Sequence, residues 1–284
     1  MSNRIIVFII ITCAFGSEFY VAKHGDDSSP GTIDSPFLTI QQAADTMVAG
    51  DICYVRKGLY HESVTMDGND GTDGLPIVFT NYNNEHVAMD GTVPIDPNWQ
   101  VHSGDIWMTT LDHDIWQLFV DWNEIVMARW PNANFEDGSI WNKEGHWGHG
   151  TIDEDSEAYE NGTLIDAPHG EVDLAGSGLD VTDAIAILNV GSFKTWTRRV
   201  LTHSGNTFTY DPVPGWKTKH HDYFFEGMLA FLDAEGEWFF DSETKILYFW
   251  VPNGADPNGL NVRGKVRSYA FDVSNSDHVQ IKNL

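Results

Sequence analysis

Basic residues are scarce in this sequence. It has 16 Lys and Arg against 42 Asp and Glu in 284 residues, which gives a formal net charge of −26. Binding to nucleic acid needs clustered Lys and Arg at the phosphates, and adsorption to anionic membranes needs the same cations. The sequence therefore argues against both kinds of partner, and its acidity favours a salty or extracellular setting.

Cysteine and long apolar runs are also scarce. The longest early run, Ile5–Ala14, follows Arg4 and has the form of a secretory signal, so residues 1–16 are predicted to be a cleaved signal peptide. Its removal also removes Cys13 and leaves only Cys53, so no internal disulfide is expected. No later segment is apolar enough to cross a membrane. The predicted location is secreted, periplasmic or at the cell surface.

One helix and many short strands are predicted in the first ninety residues. Thr39 is suited to cap the helix and Gly50 to end it. Its apolar face consists of Ile40, Ala43, Ala44, Met47 and Val48. Short strands with Gly, Asn and Asp turns follow, at Asp51–Tyr60, Val64–Met66, Pro76–Tyr82 and Val87–Met89. This pattern fits the first coils of a parallel β-helix whose open end is covered by the helix.

The same residues carry the motifs of a known family. They are Tyr20-Val21, Pro30-Gly31-Thr32, Pro36–Ala43, Gly50-Asp51, Val55–Glu62, Gly74–Ile77 and Asp90-Gly91. With these motifs, residues 19–91 resemble the start of secreted right-handed parallel β-helix proteins, and residues 262–284 resemble their coils in style. That family includes alginate and chondroitin lyases, β-helix glycosidases and surface proteins. The resemblance implies an all-β fold with an N-terminal capping helix, and it indicates the fold better than the reaction.

The middle of the chain, residues 92–262, interrupts the coil rhythm and contains every one of the 11 Trp residues. Strands recur there, and Trp238–Asp241 and Leu247–Trp250 are predicted to form a β-hairpin. We expect an inserted antiparallel β domain. This hairpin and the segment from Leu118–Asp121 to Ala128–Asn132 resemble the insert of β-xylosidase-type glycosidases.

The last segment, residues 263–284, is predicted to resume the β-helix coils. Tyr269, Phe271 and Val273 alternate with polar residues, and Val279 and Ile281 resume that rhythm after a turn. Solenoid coils need covering neighbours or a polar cap. We therefore expect the chain to be a truncated N-terminal fragment, without activity on its own, with the catalytic coils beyond its C-terminus.

Three functions remain open at this level. The resemblance favours a glycoside hydrolase acting on a polysaccharide or oligosaccharide. A polysaccharide lyase of the alginate or chondroitin type, which works by calcium-assisted β-elimination, is the enzymatic alternative. A non-catalytic surface or adhesion β-helix is the alternative from another class.

Candidate site residues fall in two places. Glycoside hydrolysis needs two carboxylates, and Asp272, on the resumed coils, is the candidate catalytic one. Tryptophan and histidine at loop tips can stack on sugar faces, so the predicted substrate contacts are Trp130, Trp141, His146, Trp147 and His149.

A metal cofactor is not required by any motif, although calcium remains possible. The loop Asp67–Gly74 has the composition of a calcium loop but lacks the closing Glu of an EF-hand, and a structural turn is favoured. His146 and His149 could meet the segment His220–Asp222 at a metal ion, against the alternative of a turn packed on Trp147.

Overall fold

The computed structural model describes residues 16–151, 161–191, 194–213 and 221–284, and the predicted signal peptide lies outside them except for Gly16. The chain is mostly β and divides into two compact units. Within the described residues, unit 1 consists of 16–92 and 267–284, and unit 2 lies within 93–266. In the described part of the chain, no helix is both long enough and apolar enough to span a bilayer.

Unit 1 contains three separate parallel ladders. Its elements are β1 (Glu18–Val21), α1 (Ile40–Thr46), β2 (Ile52–Val55), β3 (Gly58–Tyr60), β4 (Val64–Asp67), β5 (Ile77–Asn81), β6 (Val87–Met89), β22 (Phe271–Asn275) and β23 (Val279–Lys282). The first ladder has the order β1-β2-β5-β23, the second pairs β4 with β22, and the third pairs β3 with β6. The consecutive strands β2, β3 and β4 therefore belong to three different ladders.

The parallel register places apolar residues of successive strands above one another. Phe19 pairs with Cys53, Cys53 with Phe79, and Phe79 with Ile281. Cys53 and Phe79 are fully buried, and the ring centroid of Phe79 lies 5.3 Å from that of Phe271 on the second ladder. The apolar core of unit 1 thus lies between the ladders.

Helix α1 begins where it was predicted and ends earlier. The Thr39 side chain accepts a hydrogen bond from the Gln42 amide at 3.1 Å, which is the N-cap interaction. The predicted apolar face is buried apart from Val48, which is 65 % exposed. That part of the prediction is wrong because the helix ends at Thr46 and Met47 is already extended, with ψ of 148°.

Unit 2 consists of two sheets, most of whose strand pairs are antiparallel. The eight-stranded sheet has the order β7-β21-β10-β11-β19-β20-β9-β8, in which β11 and β19 are parallel. Its strands are β7 (Thr92–Pro94), β8 (Gln100–Ser103), β9 (Ile106–Thr110), β10 (Leu118–Val120), β11 (Asn123–Met127), β19 (Glu237–Asp241), β20 (Ile246–Trp250) and β21 (Val262–Lys265).

The seven-stranded sheet has the order β12-β18-β15-β16-β17-β14, and β13 also pairs with β18. Its strands are β12 (Arg129–Trp130), β13 (Gly148–His149), β14 (Thr163–Ile165), β15 (Ile185–Gly191), β16 (Lys194–Ser204), β17 (Thr207–Tyr210) and β18 (Asp222–Glu226). Short helices lie at α2 (Lys143–His146) and, as 3₁₀ turns, at Ser139–Trp141, Leu229–Phe231, Pro252–Gly254 and Pro257–Gly259.

The predicted hairpin of unit 2 is confirmed, since β19 and β20 pair with Trp238 opposite Phe249. The predicted strand Asp51–Tyr60 is instead two strands, β2 and β3, separated by Arg56 and Lys57. Each half belongs to a different ladder, so the chain turns between them.

Replacement of Phe79 by Ala should destabilise unit 1. A Phe-to-Ala change in a closed core costs about 3–5 kcal/mol, and Phe79 has no solvent exposure. The free energy of unfolding, measured by urea denaturation, is expected to fall by that amount. The matched control is Val48→Ala, because Val48 is 65 % exposed and surface changes usually stay within about 0.5 kcal/mol. Equal effects of the two substitutions would contradict this core assignment.

Candidate functional site

A long loop in unit 2 connects two short strands, β12 and β13, which both pair with β18. Strand β12 pairs with β18 through Arg129 and Glu226, and β13 pairs with β18 through His149 and Asp222. The residues between them, 131–147, therefore leave the sheet and return to it at neighbouring positions. This segment, called the 131–147 loop below, contains three of the five predicted contact residues, Trp141, His146 and Trp147.

The Arg129 guanidinium holds both ends of this loop. Its Nε donates to the Pro131 carbonyl at 2.9 Å, and its Nη2 donates to the His146 carbonyl at 2.8 Å. Its Cζ lies 3.8 Å from the ring centroid of Phe224. Burial lowers the pKa of Arg129 to about 10, against the opposing effect of Glu226 and Glu237, so Arg129 remains charged at neutral pH.

Glu237 is a buried carboxyl beside this arginine. It is the first residue of β19, where it pairs in parallel with Val126, and it is only 2 % exposed. Burial raises its pKa to about 8, and the nearby Asp233 adds to the shift. Its Oε1 has no hydrogen-bond partner among the described residues. At neutral pH the carboxyl is therefore mostly protonated and can donate a hydrogen bond.

Glu237 lines an opening that we call the Glu237 cleft. It consists of two adjoining cavities of about 140 Å³ and about 420 Å³, which share Val126, Asn134 and Glu235. The smaller cavity is also lined by Asn132, Asp137, Ser139, His146 and Glu237. The larger is also lined by Glu124, Phe135, Glu136, Pro252 and Asn253.

Asp137, in the same cleft, favours the ionised form of its carboxyl, in contrast to Glu237. Its Oδ1 accepts a hydrogen bond from the Ser139 amide at 2.7 Å, and the hydrogen bonds from Ser139 lower its pKa. The cleft is lined by five carboxyl groups, among which Glu237 favours the protonated form and Asp137 the ionised form, together with three side-chain amides and one imidazole. Such a set can both donate hydrogen bonds to hydroxyl groups and accept hydrogen bonds from them.

Three of the predicted contact residues, His146, Trp141 and Trp147, differ in whether they line the cleft. His146 lines the cleft, and its Nδ1 lies 2.7 Å from the Asn132 carbonyl. Trp141 is 79 % exposed and comes two residues after Ser139. Trp147 packs edge-on against Phe224 at 4.7 Å. Of these three residues, only His146 lines the cleft. Trp141, the most exposed of them, lies two residues after Ser139, which lines the smaller cavity.

The two remaining contact candidates belong to the packed part of unit 2. The ring centroid of Trp130 lies 6.0 Å from that of Phe225, and the two rings are stacked. His149 stacks on His169 with centroids 3.7 Å apart, and its Nε2 lies 3.1 Å from the Lys143 carbonyl. Neither side chain lines the Glu237 cleft.

Asp272, the predicted catalytic carboxylate, lies on β22 in unit 1. Its Oδ1 accepts hydrogen bonds from the amide and the hydroxyl of Ser274, at 3.0 and 2.6 Å. These bonds lower its pKa, so the side chain is ionised and is engaged in a local turn.

The residues of the two candidate metal sites make other contacts. Among the described residues, no group of three or more His, Cys, Asp or Glu has the geometry of a metal site. His220 lies outside the described residues, and the ring of His221 meets His149 edge-on at 5.3 Å. In the Asp67–Gly74 loop, Asn69 donates to the Ala44 carbonyl at 2.7 Å and Asp70 accepts from the Asp277 amide at 2.8 Å.

Arg129, Glu237 and Asp137 were not predicted from the sequence. Arg129 and Glu237 are buried by pairing with strands about a hundred residues away, namely β18 and β11. The available signal was a Glu placed directly before the apolar strand Trp238–Asp241. Asp137 gave no signal, because it is one of 42 acidic residues.

No protein-family model matches the chain. Among curated proteins, it is 41 % identical to the uncharacterized protein YwoF of Bacillus subtilis (strain 168) over 76 residues, which is 27 % of this chain and 16 % of that protein. It is 29 % identical to the pectate lyase PEL9 of Emericella nidulans over 126 residues, which is 42 % of this chain and 31 % of that protein. The chain thus spans less than a third of the length of either relative.

Among solved structures, the chain resembles a glycoside hydrolase with a TM-score of 0.64 and 19 % identity, over 94 % of this chain and 50 % of that one. It also resembles XylC, solved in complex with xylose, with a TM-score of 0.50 and 18 % identity, over 93 % of this chain and 34 % of that one. At these identities the likeness is one of fold. The proteins of named activity or ligand among these are carbohydrate-active: a glycoside hydrolase and XylC, which are similar in fold, and a pectate lyase, which is similar in sequence over part of its length.

Glu237→Gln should change how stability depends on pH. The pKa of Glu237 is about 8 in the folded chain, against an ordinary value of 4.5. Between these values the folded chain holds a proton that the unfolded chain has released, so the stability of the wild type falls as pH rises. The glutamine variant lacks this loss. Its advantage over the wild type should grow from pH 5 to pH 8, by at most about 1.4 kcal/mol per pH unit.

Urea denaturation at several pH values measures this difference. The matched control is Glu243→Gln, because Glu243 is exposed in the turn between β19 and β20, where a substitution should change stability by no more than about 0.5 kcal/mol. A pH-independent difference for Glu237→Gln would show that the carboxyl is ionised when folded.

Proposed function

We propose that this chain is part of a secreted carbohydrate-active protein, most closely a glycoside hydrolase acting on a polysaccharide or oligosaccharide. The Glu237 cleft carries this proposal. It combines the protonated carboxyl of Glu237, the ionised carboxyl of Asp137 and three side-chain amides with Phe135, an aromatic ring that is 38 % exposed. Hydrogen-bonding groups beside an apolar ring face match the two surfaces of a sugar ring.

The architecture of unit 1 supports a right-handed parallel β-helix. The chain passes through the three ladders in turn, first along β2, β3 and β4, and then returns to β5 and β6 beside the first passage. The segment β22–β23 returns to the same ladders after unit 2. Crossovers between parallel strands of one sheet are right-handed in nearly all proteins. In this proposal, unit 2 is an insert between successive coils.

The role that we propose for the cleft is saccharide binding, with Phe135 and Trp141 as stacking surfaces and His146 as a polar contact. The chain matches only 50 % of the glycoside hydrolase and 34 % of XylC. We therefore assign hydrolysis to a larger protein in which further coils supply the pair of catalytic carboxylates. Export through the signal peptide is part of the same proposal.

A lyase is the second candidate, and the likeness to the pectate lyase over 126 residues favours it. The two reactions leave different products. Hydrolysis creates a new reducing end and a saturated sugar, whereas β-elimination creates a reducing end and an unsaturated uronide that absorbs ultraviolet light. Incubating the longest natural chain that contains these residues with neutral and uronic polysaccharides separates them. If neither product forms from any of these substrates, a binding protein without catalytic activity is favoured.

Phe135→Ala should weaken saccharide binding to the chain. Stacking on an aromatic ring contributes about 0.5–1.5 kcal/mol, so we expect a loss of about two- to tenfold in affinity for a neutral oligosaccharide such as a xylo-oligosaccharide. Trp141→Ala should have a similar effect. Isothermal titration calorimetry or NMR titration measures both.

The matched control is Trp122→Ala, because Trp122 is 56 % exposed in unit 2 and does not line the cleft. Affinity lost equally in this variant, or no binding of any oligosaccharide by the wild type, would overturn the assignment of the cleft.

A further inference from the structure

Unit 1 contains a cavity whose charge is opposite to that of the chain. The cavity has a volume of about 310 Å³ and is lined by Ala22, Lys23, His24, Arg56 and Lys57. Three of the 16 Lys and Arg residues are thus among its five lining residues, and none of the 42 acidic residues is. We call it the basic pocket. It lies outside the Glu237 cleft, which belongs to unit 2.

The parallel ladder creates this pocket. Val21 at the end of β1 pairs with Val55 at the end of β2, and the Arg56 amide continues the ladder by donating to the Val21 carbonyl at 2.8 Å. Parallel strands that end in register release their next residues at the same edge of a sheet. Backbone pairing therefore places Lys23 and Lys57 at the same edge of the ladder, where both line the pocket.

Among the described residues, neither Lys23 nor Lys57 forms an ion pair with a carboxylate. Glu85 is the carboxylate close to Lys57, and it accepts a hydrogen bond from the Lys57 amide at 2.7 Å. The Lys23 ammonium lies 4.8 Å above the ring centroid of Tyr60. A Cβ atom at Gly58 would lie 2.7 Å from Lys23 Cγ, so the glycine gives the lysine stem room to lie over this ring.

Arg56 is already paired and connects the pocket to an aromatic surface. Its Nε and Nη2 donate to the Glu85 carboxylate at 2.9–3.1 Å. Its Cζ lies 4.9 Å from the ring centroid of Tyr82, which meets the stacked rings of Tyr20 and Tyr54 edge-on at 5.7 and 5.9 Å. Three half-buried tyrosines thus form an aromatic cluster next to Arg56.

We propose that the basic pocket binds the anionic group of an acidic saccharide, a carboxylate or a sulfate ester, with the sugar beside the tyrosines. The ammonium groups of Lys23 and Lys57 supply the charge, and the tyrosine rings next to Arg56 supply the apolar surface that a sugar face needs. Nucleic acid fits poorly, because its dense phosphates require many cations and would meet a chain of net charge −26. An isolated anion is affected mainly by nearby charges, because salt screens beyond about 8 Å.

The experiment measures the affinity of three oligosaccharides of equal length for the full chain by calorimetry. They are an oligogalacturonate, the same oligogalacturonate after methyl esterification, and a sulfated oligosaccharide. We expect at least one anionic ligand to bind at least tenfold more tightly than the neutral ester, with an affinity that falls as salt is raised. Preference for the first or the third identifies the anion as carboxylate or sulfate. Equal binding of all three would overturn the proposal.

Variants locate the site. Lys23→Gln combined with Lys57→Gln should lower the affinity for the anionic ligand by about tenfold, because two charge-assisted contacts are lost. Glu85→Gln should raise it about two- to fivefold, because it releases Arg56 from its carboxylate. The matched control, Lys282→Gln, removes an exposed lysine of unit 1 that does not line the pocket and should have no effect. A double variant that binds like the wild type would overturn the assignment.

This proposal can fail independently of the proposed function. The cleft is tested with neutral sugars and substitutions at Phe135 and Trp141, whereas the pocket is tested with anionic sugars and substitutions at Lys23 and Lys57. Loss of neutral binding alone concerns the cleft. If the difference in affinity between anionic and neutral sugars is lost, the result bears on the basic pocket.

Discussion

Backbone pairing between parallel strands is the constraint on which unit 1 depends. Once Val21 is opposite Val55 and Cys53 is opposite Phe79, the side chains of each strand must lie above those of the previous strand. The buried column Cys53–Phe79 follows from this register, and so does the placement of Lys23 and Lys57 at one edge of the ladder. One set of hydrogen bonds therefore determines both the core and the basic pocket, and a change of register would remove both.

Unit 2 depends on a different interaction, the burial of one arginine. Arg129 is 1 % exposed, and a buried guanidinium is tolerated only when its donors and its charge are compensated. Two loop carbonyls accept from Nε and Nη2, the Phe224 ring lies below the guanidinium and Glu226 favours its charged form, whereas Nη1 has no hydrogen-bond partner among the described residues. Because the carbonyls belong to Pro131 and His146, the arginine also fixes where the loop places the wall of the Glu237 cleft.

The sequence predicted the local features well and the long-range ones poorly. The N-cap at Thr39 and the hairpin of β19 and β20 depend on residues close in the chain, and both are confirmed. The burial of Glu237 depends on Val126, more than a hundred residues earlier, and no local pattern encodes that pairing. Strand β16 was not predicted because Val200 is its only buried side chain among eleven residues, so it lacks the alternation by which strands are recognised.

The acidic composition gives the two sites different physical characters. In the Glu237 cleft, burial among other carboxyls favours the protonated form of Glu237, which makes it a neutral hydrogen-bond donor. In the basic pocket, the carboxylate of Glu85 pairs with Arg56 and accepts a hydrogen bond from the Lys57 amide, and within the described residues neither lysine forms an ion pair. A chain of net charge −26 would repel an acidic polymer over long distances in dilute salt, but screening at physiological ionic strength restricts that repulsion to about 8 Å. Local cations then decide the sign of the interaction, so an acidic protein is compatible with an acidic saccharide when its few lysines lie together.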